Sequence, residues 1–137
     1  MKDRVLVDTG PIVAILSSSD EHHEDCVQRL QMLKGTLLTC WPVLTEIAWL
    51  LRAHPLAINA LLASLTSGPF RLADLGEGDL PGITAILRRY QDVKIQLADA
   101  ALLHLANREG IETVFTLDRR DFGVLRLARN RRLRIVP

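Results

Sequence analysis

The chain of 137 residues has few of the side chains on which many folds and sites depend. Aromatic residues make up only 4% of it, so its core must consist mainly of Leu, Ile, Val and Ala. The two cysteines, Cys26 and Cys40, form no C-x-x-C pattern, and a reduced pair is the default inside a cell. No apolar run approaches the roughly 18 residues of a membrane span, and no signal-peptide pattern follows Met1. These absences predict a cytoplasmic protein without a membrane segment.

The residues that are present are those of an ordinary globular protein, with 48% hydrophobic and 24% charged residues. A chain of this length suffices for one domain with a buried core. Short apolar stretches that predict strands alternate with longer stretches of helical periodicity. We predict strands at 5–7, 36–40, 70–75, 113–117 and 133–136, and helices at 12–16, 21–33, 43–52, 56–65, 83–90 and 97–106. This alternation predicts a single α/β domain over residues 1–137 with a mostly parallel sheet.

Two of the predicted strands end in a carboxylate. Asp8 follows the apolar run 5–7, and Asp118 follows 113–117. Because the carboxyl ends of parallel strands meet at one edge of a sheet, and ligands bind at that edge, we expect both acids in a ligand site. For Asp8 an Asx turn or a helix cap is an alternative, since Asp is common at both.

Two further acids lie on predicted helices that start at the same edge. Glu46 lies at the border of an apolar helix face and has no basic residue one turn away. Asp99 shares the apolar side of its helix with Leu102, although a cap that meets the helix dipole is an alternative role for it. His104 points about 140° away from Asp99 on the same helix, which predicts that it faces the solvent.

Four carboxylates that converge on one edge repel one another and therefore need cations. Oxygen donors alone favour Mg²⁺ or Mn²⁺ over Zn²⁺. Acid clusters that hold such ions stabilise phosphodiester displacement, with a metal-activated water as the nucleophile. The sequence therefore predicts a metal-dependent phosphodiesterase site.

The residues around these acids resemble motifs of the PIN-domain ribonucleases, and in particular of the compact toxins in VapBC-type toxin–antitoxin pairs. The resemblance runs from Val5 to Pro137, with Gly10 standing where many relatives have serine. The matching segments are Val7-Asp8-Thr9-Gly10-Pro11, Thr45-Glu46-Ile47, Leu97-Ala98-Asp99-Ala100 and Thr116-Leu117-Asp118-Arg119-Arg120-Asp121-Phe122.

The resemblance implies a three-layer α/β/α PIN-like fold with a mostly parallel sheet of about five strands. It also implies an endoribonuclease that is dimeric and inhibited by a cognate antitoxin protein. The acids implied to be catalytic and to bind Mg²⁺ or Mn²⁺ are Asp8, Glu46, Asp99 and Asp118. The residues implied to orient these ligands or water are Thr9, Thr116 and the more peripheral Asp121.

The charge of the chain is unevenly distributed. Residues 118–137 contain seven Arg and two Asp, whereas residues 1–117 contain ten Lys and Arg against fourteen Asp and Glu. Because Arg119 and Arg120 directly follow Asp118, we predict that they contact RNA phosphates beside the acidic site, and that the arginines from Arg126 to Arg134 extend this positive surface. The alternative is structural: these arginines pair with Asp121 or with other acids and hold the tail in place.

Several other functions fit the sequence less well. A dehalogenase-type phosphatase needs a second Asp where Gly10 stands, and the chain has no Walker loop. A non-catalytic PIN-like module that binds RNA or protein remains as an alternative. The helix 56–65 is more apolar than a peripheral element of a small core requires, which predicts a protein interface such as a homodimer. The identity of the RNA is left open, since tRNA, rRNA and mRNA all fit.

Overall fold

A short apolar strand near the start of the chain organises the sheet. The computed structural model describes residues 3–137, so Met1 and Lys2, on which the expectation about a signal peptide partly rests, lie outside the described residues. Strand β1 (Arg4–Val7) pairs in parallel on both sides, with Leu6 opposite Leu38 and Val114. Its interior residues are buried, as expected of a central parallel strand covered on both faces.

Seven short strands occur in residues 3–137, and five of them form one parallel sheet in the order β3-β2-β1-β4-β7. The other two pair as an antiparallel hairpin. The direction of strand addition reverses between β1 and β4, which makes the gap beyond their carboxyl ends the preferred ligand position of this topology. The strands after β1 are β2 (Thr36–Thr39), β3 (Phe70–Leu72), β4 (Thr113–Phe115), β5 (Arg126–Leu127), β6 (Arg131–Arg132) and β7 (Arg134–Val136).

Seven α-helices complete a three-layer α/β/α arrangement within the described part of the chain. The predicted α/β fold with a mostly parallel sheet of about five strands is therefore confirmed. None of the helices described is long and apolar enough to cross a membrane. They are α1 (Thr9–Leu16), α2 (His23–Met32), α3 (Trp41–Leu50), α4 (Pro55–Thr66), α5 (Leu80–Arg89), α6 (Leu97–Glu109) and α7 (Arg119–Val124).

The prediction that His104 faces the solvent is wrong. Its side chain is only 16% exposed, and its Nε2 lies 2.8 Å from Oδ1 of Asp79. Helix α6 is buried around most of its circumference because it packs against α3 and also against α5, where Gly82 lies directly against the imidazole. The angular position of His104 relative to Asp99 correctly placed the two side chains on different sides of α6. Both sides are packed, however, because α5 covers the side that carries His104.

Candidate active site

A cavity of about 440 Å³ opens at the carboxyl edge of the sheet, beside the ends of β1 and β4. The structure brings all four predicted acids to its wall. A larger cavity, of about 650 Å³, lies at the opposite edge and has only two acids in its lining, Asp3 and Glu112. The residues that line the smaller cavity are Asp8, Thr9, Gly10, Glu46, Leu50, Lys94, Gln96, Asp99, Leu117, Asp118 and Asp121.

Asp8 is held by a neighbouring strand and not by the helix that follows it. Helix α1 begins at Thr9, earlier than predicted, so Asp8 occupies the N-cap position, but its carboxylate makes no capping hydrogen bond to that helix in residues 3–137. Instead the hydroxyl of Thr116 donates to Oδ2 of Asp8 over 2.8 Å. The side chain of Asp8 is thereby turned towards β4, and the capping alternative for this residue is wrong.

Thr116 connects the two strand ends that carry acids. Its side chain is fully buried, and its Oγ1 donates to Asp8 while accepting a hydrogen bond of 3.0 Å from the backbone N–H of Asp118. Asp118 is exposed at the N-cap of α7, where its Oδ1 accepts from the backbone N–H of Asp121 over 2.9 Å. One hydroxyl thus fixes the position of Asp8 relative to Asp118.

Asp99 and Glu46 reach the cavity from helices α6 and α3. Oδ2 of Asp99 accepts a hydrogen bond of 3.1 Å from the backbone N–H of Gln96, so the capping role considered for Asp99 exists, but it occupies one carboxylate oxygen. Glu46 is half-buried beside the Thr9 hydroxyl. Although Thr9 lies close to that carboxylate, its Oγ1 is buried without a well-aligned hydrogen-bond partner in residues 3–137.

The acids of this cavity hold negative charge that the protein does not neutralise. Burial raises the pKa of Asp8 to about 6, while the hydrogen bond from Thr116 and the nearby backbone N–H of Thr9 oppose the shift, and the charges of Glu46 and Asp118 add to it. Burial likewise raises the pKa of Asp99 to about 6, with a contribution from Asp8. None of the four acids forms an ion pair within residues 3–137.

Two more acids of the lining, Glu46 and Asp121, follow the same trend. The pKa of Glu46 is raised by burial and by Asp99, although the nearby Thr9 hydroxyl opposes the shift. The pKa of Asp121 is raised by burial and by Asp118, with Arg120 opposing. The shifts in these four groups have the sign expected of carboxylates that share one partly buried space and have no ion-pair partner in residues 3–137.

The side chains of the cavity fit a hard divalent cation in their chemistry. Every charged donor is a carboxylate oxygen, the donor type that Mg²⁺ and Mn²⁺ prefer, and the buried Thr9 hydroxyl is an additional donor without a partner. Within the described residues, however, no three acid, His or Cys side chains already stand close enough to form a ligand set. A site that used three of these side chains as ligands would require the carboxylates to turn inward from their present positions.

The basic residues are arranged differently from the prediction. The guanidinium of Arg119 donates to the backbone carbonyl of Pro137, and neither Arg119 nor Arg120 lines the cavity. Arg131 pairs with Glu112, and Arg134 lines the cavity at the opposite edge of the sheet. Arg131 and Arg134 therefore do not belong to a positive surface that extends from the acids.

Sequence reasoning missed two polar residues of the cavity lining, Lys94 and Gln96, which lie in the segment that connects α5 to α6. The available signal was their position, since they come shortly before Asp99 in the segment that leads to the N-terminus of α6. Lys94 is the one basic residue in the lining formed by the described residues.

Comparison with known proteins agrees with this geometry. The family model for the PIN domain matches residues 5–128, a range that contains every residue lining the acidic cavity. The chain belongs to the PIN domain family. The family predicted from the sequence motifs is therefore confirmed.

Among curated proteins, this PIN domain is 30% identical over 135 residues to Ribonuclease VapC26 of Mycobacterium tuberculosis, and the match covers 97% of this chain and 100% of that protein. Among solved structures it resembles VapC20 of M. tuberculosis, described as a Sarcin-Ricin loop cleaving toxin, with a TM-score of 0.77 and 19% identity over 85% of this chain and 91% of the other. It also resembles VapBC2 from Rickettsia felis, solved bound to a DNA fragment from its promoter, with a TM-score of 0.69 and 14% identity over 98% and 99% of the two chains.

Proposed function

We propose that this PIN domain is a metal-dependent endoribonuclease and the toxin of a toxin–antitoxin pair. The observation that carries the proposal is the convergence of Asp8, Glu46, Asp99 and Asp118 on one cavity without a neutralising ion pair in residues 3–137. The 30% identity to a ribonuclease along nearly the whole chain supports the same activity. The relevant unit on this proposal is the single PIN domain of residues 1–137, in the cytoplasm.

Each residue of the cavity has a role on this proposal. Asp8, Glu46, Asp99 and Asp118 hold Mg²⁺ or Mn²⁺ and are the catalytic acids. A bound cation of this type supplies activation of water and stabilisation of charge on the reacting phosphate. Thr116 holds the Asp8 carboxylate and the Asp118 backbone in register, while Thr9 and Asp121 orient ligands or water at the border of the site.

Arg119 and Arg120 remain candidates for contacts to RNA phosphates at the rim of the cavity. Arg120 is exposed and lies near Asp121, close enough to oppose the upward shift of the Asp121 pKa. Arg119 has to release the carbonyl of Pro137 before it can contact RNA. The alternative structural role, in which these arginines hold the tail, therefore has its strongest support at Arg119.

We further propose a homodimer and a cognate antitoxin as partners. Helix α4 buries Leu61 in the core but leaves Leu56 83% exposed and Leu62 47% exposed, and Trp49 on α3 is 63% exposed. Large apolar side chains exposed on two consecutive helices support a protein-binding surface on this side of the chain. Light scattering of the purified chain tests the dimer, and a monomer contradicts it.

The activity is tested by incubating the purified chain with total RNA in EDTA, Mg²⁺ or Mn²⁺. We expect discrete cleavage products with Mg²⁺ or Mn²⁺ and none in EDTA. The variant Asp99→Asn should cleave at least about a hundredfold more slowly, since it loses a proposed metal ligand. RNA binding without cleavage under every metal condition would favour the non-catalytic module, and cleavage by Asp99→Asn at the wild-type rate would contradict the site assignment.

A further inference from the structure

Lys94 combines three properties that no other basic residue of the described chain shares. It lines the acidic cavity, its side chain is exposed, and its backbone has a φ of 59°, in the left-handed region. It forms no ion pair with any acid in residues 3–137. We propose that the Lys94 ammonium binds a phosphate oxygen of the RNA backbone at the mouth of the cavity, an inference that rests on the proposed ribonuclease function.

The backbone of Lys94 is fixed although its side chain is free. Helix α5 ends at Arg89, and the carbonyl of its C-cap residue Tyr90 accepts hydrogen bonds from the backbone N–H groups of Val93 and Lys94, over 3.0 and 3.2 Å. Tyr90 and Ile95 on either side are buried in the core. The segment therefore holds the Cα of Lys94 at the rim, and only the flexible side chain has to find its partner.

The left-handed backbone at Lys94 is a position that favours glycine. A Cβ raises the energy of this conformation, and helices that end with a left-handed residue most often place Gly there. Strain of this kind is concentrated at functional sites, where the side chain has a use that offsets it. The Lys94 side chain forms no ion pair in residues 3–137 that would stabilise the fold. Its use therefore lies in the cavity that it lines.

Charge supplies the chemical reason for a cation at this place. The lining contains Asp8, Glu46, Asp99, Asp118 and Asp121, so it remains negative even after one divalent cation binds. A phosphodiester is an anion, and the remaining negative charge of the cavity repels it unless a positive side chain faces the phosphate. Lys94 is the basic residue that the described structure places there, whereas Arg119 is bound to Pro137.

The proposed test compares Lys94→Gly with a matched control, Arg129→Gly. Arg129 is also basic and exposed, and it has a φ of 63°, but it lies in the short segment between β5 and β6 and not in the cavity lining. Both substitutions remove a positive charge and relieve a left-handed non-glycine residue, so both should keep or raise Tm. The comparison therefore separates the role of the charge in the cavity from any effect on folding.

Binding of a mixed-sequence 2′-O-methyl oligoribonucleotide is measured by fluorescence anisotropy in Mg²⁺ over a series of salt concentrations. We expect Lys94→Gly to bind at least about tenfold more weakly, because a charge-assisted hydrogen bond is lost. Its log–log salt slope should fall by roughly 0.7, the value for one phosphate contact to a single strand. Arg129→Gly should bind as the wild type does, and Lys94→Arg should retain most of the affinity.

A second titration, with Mn²⁺ alone and Tm as the readout, separates this proposal from a role as internal counterion. Lys94→Gly should bind Mn²⁺ at least as tightly as the wild type, since a positive charge has left the cavity. Tighter Mn²⁺ binding with unchanged oligonucleotide affinity and salt slope would overturn the proposal and make Lys94 a counterion. Equal loss of RNA binding in Lys94→Gly and Arg129→Gly would also overturn it.

The outcomes distinguish this inference from the proposed function. If the wild type cleaves RNA with metal and Lys94→Gly binds the oligonucleotide with wild-type affinity, the inference is wrong and the ribonuclease function stands. If the wild type neither binds nor cleaves RNA in Mg²⁺ or Mn²⁺, both are wrong.

Discussion

Two groups of acids in this domain show opposite electrostatic behaviour. Asp79 accepts hydrogen bonds from the backbone N–H of Gly76 at 2.8 Å, from His104 at 2.8 Å and from Arg108 at 3.1 Å, and these contacts hold its pKa below the usual range. Asp8 and Asp99 form no ion pair with any basic residue in residues 3–137, and their pKa values are raised to about 6.

The comparison shows how a structural carboxylate can be told from a functional one. Asp79 is the centre of a small network that ties the segment before α5 to α6, so its charge is satisfied within the fold. The charge of Asp8 and Asp99 has no ion-pair partner among the described residues, which leaves both carboxylates available to a ligand. Perturbed acids that converge in a cleft are candidates for function, and the upward direction of the shift distinguishes them here from Asp79.

The largest effects are expected when one negative charge is removed from each of the two groups of acids. Asp8→Asn should abolish metal-dependent cleavage, a loss of at least about a hundredfold, and yet raise the free energy of unfolding of the metal-free protein at pH 7.5 by about 1–3 kcal/mol. Asp79→Asn should have the opposite effects. Its Tm should fall because the contacts to His104 and Arg108 are weakened, and cleavage should persist because these contacts lie outside the cavity. Cleavage rates and urea denaturation measure both effects, and equal behaviour of the two variants would refute the distinction.

The role of Thr116 is tested by Thr116→Val, which keeps the shape of the side chain and removes its hydroxyl. The Asp8 carboxylate then loses its orienting donor, and Mn²⁺ affinity should fall by about 10–100-fold. Thr39→Val is the matched control, because the equally buried Thr39 hydroxyl donates to the carbonyl of Val7 and forms no hydrogen bond with an acid in residues 3–137. If calorimetric titration with Mn²⁺ gave the same affinity for both variants, Thr116 would have no role in the site.

The smallest effect expected is on the pH dependence of stability without metal. The folded protein keeps protons on Asp8 and Asp99 up to about pH 6, whereas their ordinary pKa is 3.8. The free energy of unfolding in EDTA should therefore fall as the pH rises from about 4 to 6 and then level off. Asp8→Asn should show a shallower fall than the wild type. Asp79→Asn should keep the wild-type slope in this window, since the Asp79 pKa is lowered and its charge is present throughout.

Much of this site could be predicted from the sequence because it depends on strand ends. Once 5–7 and 113–117 were identified as buried parallel strands, Asp8 and Asp118 had to meet at one edge. The apolar faces of two helices were enough to add Glu46 and Asp99. The sequence left open whether Asp8 and Asp99 cap their helices. Asp99 does accept a capping hydrogen bond, whereas the Asp8 carboxylate is bound by the hydroxyl of Thr116, directly after β4.

The features that could not be predicted depend on contacts between distant elements. His104 is covered by α5, and helical phase alone carries no information about a second packed side. Arg119 turns to the carbonyl of Pro137 because β7 ends beside α7. Lys94 reaches the cavity through a left-handed backbone in a short connection, a conformation that its residue type argues against.

The most direct test of the central claim, that the unneutralised acids form a cation site, is the change in Tm caused by Mn²⁺. Wild type, Asp99→Asn and Asp79→Asn are freed of metal with EDTA, dialysed, and melted at pH 7.5 over a range of Mn²⁺ concentrations. We expect wild type and Asp79→Asn to be stabilised, by about 2.7 kcal/mol at a hundred times Kd, and Asp99→Asn to respond weakly or not at all. No shift of the wild type at millimolar Mn²⁺, or an equal shift in Asp99→Asn, would contradict the claim.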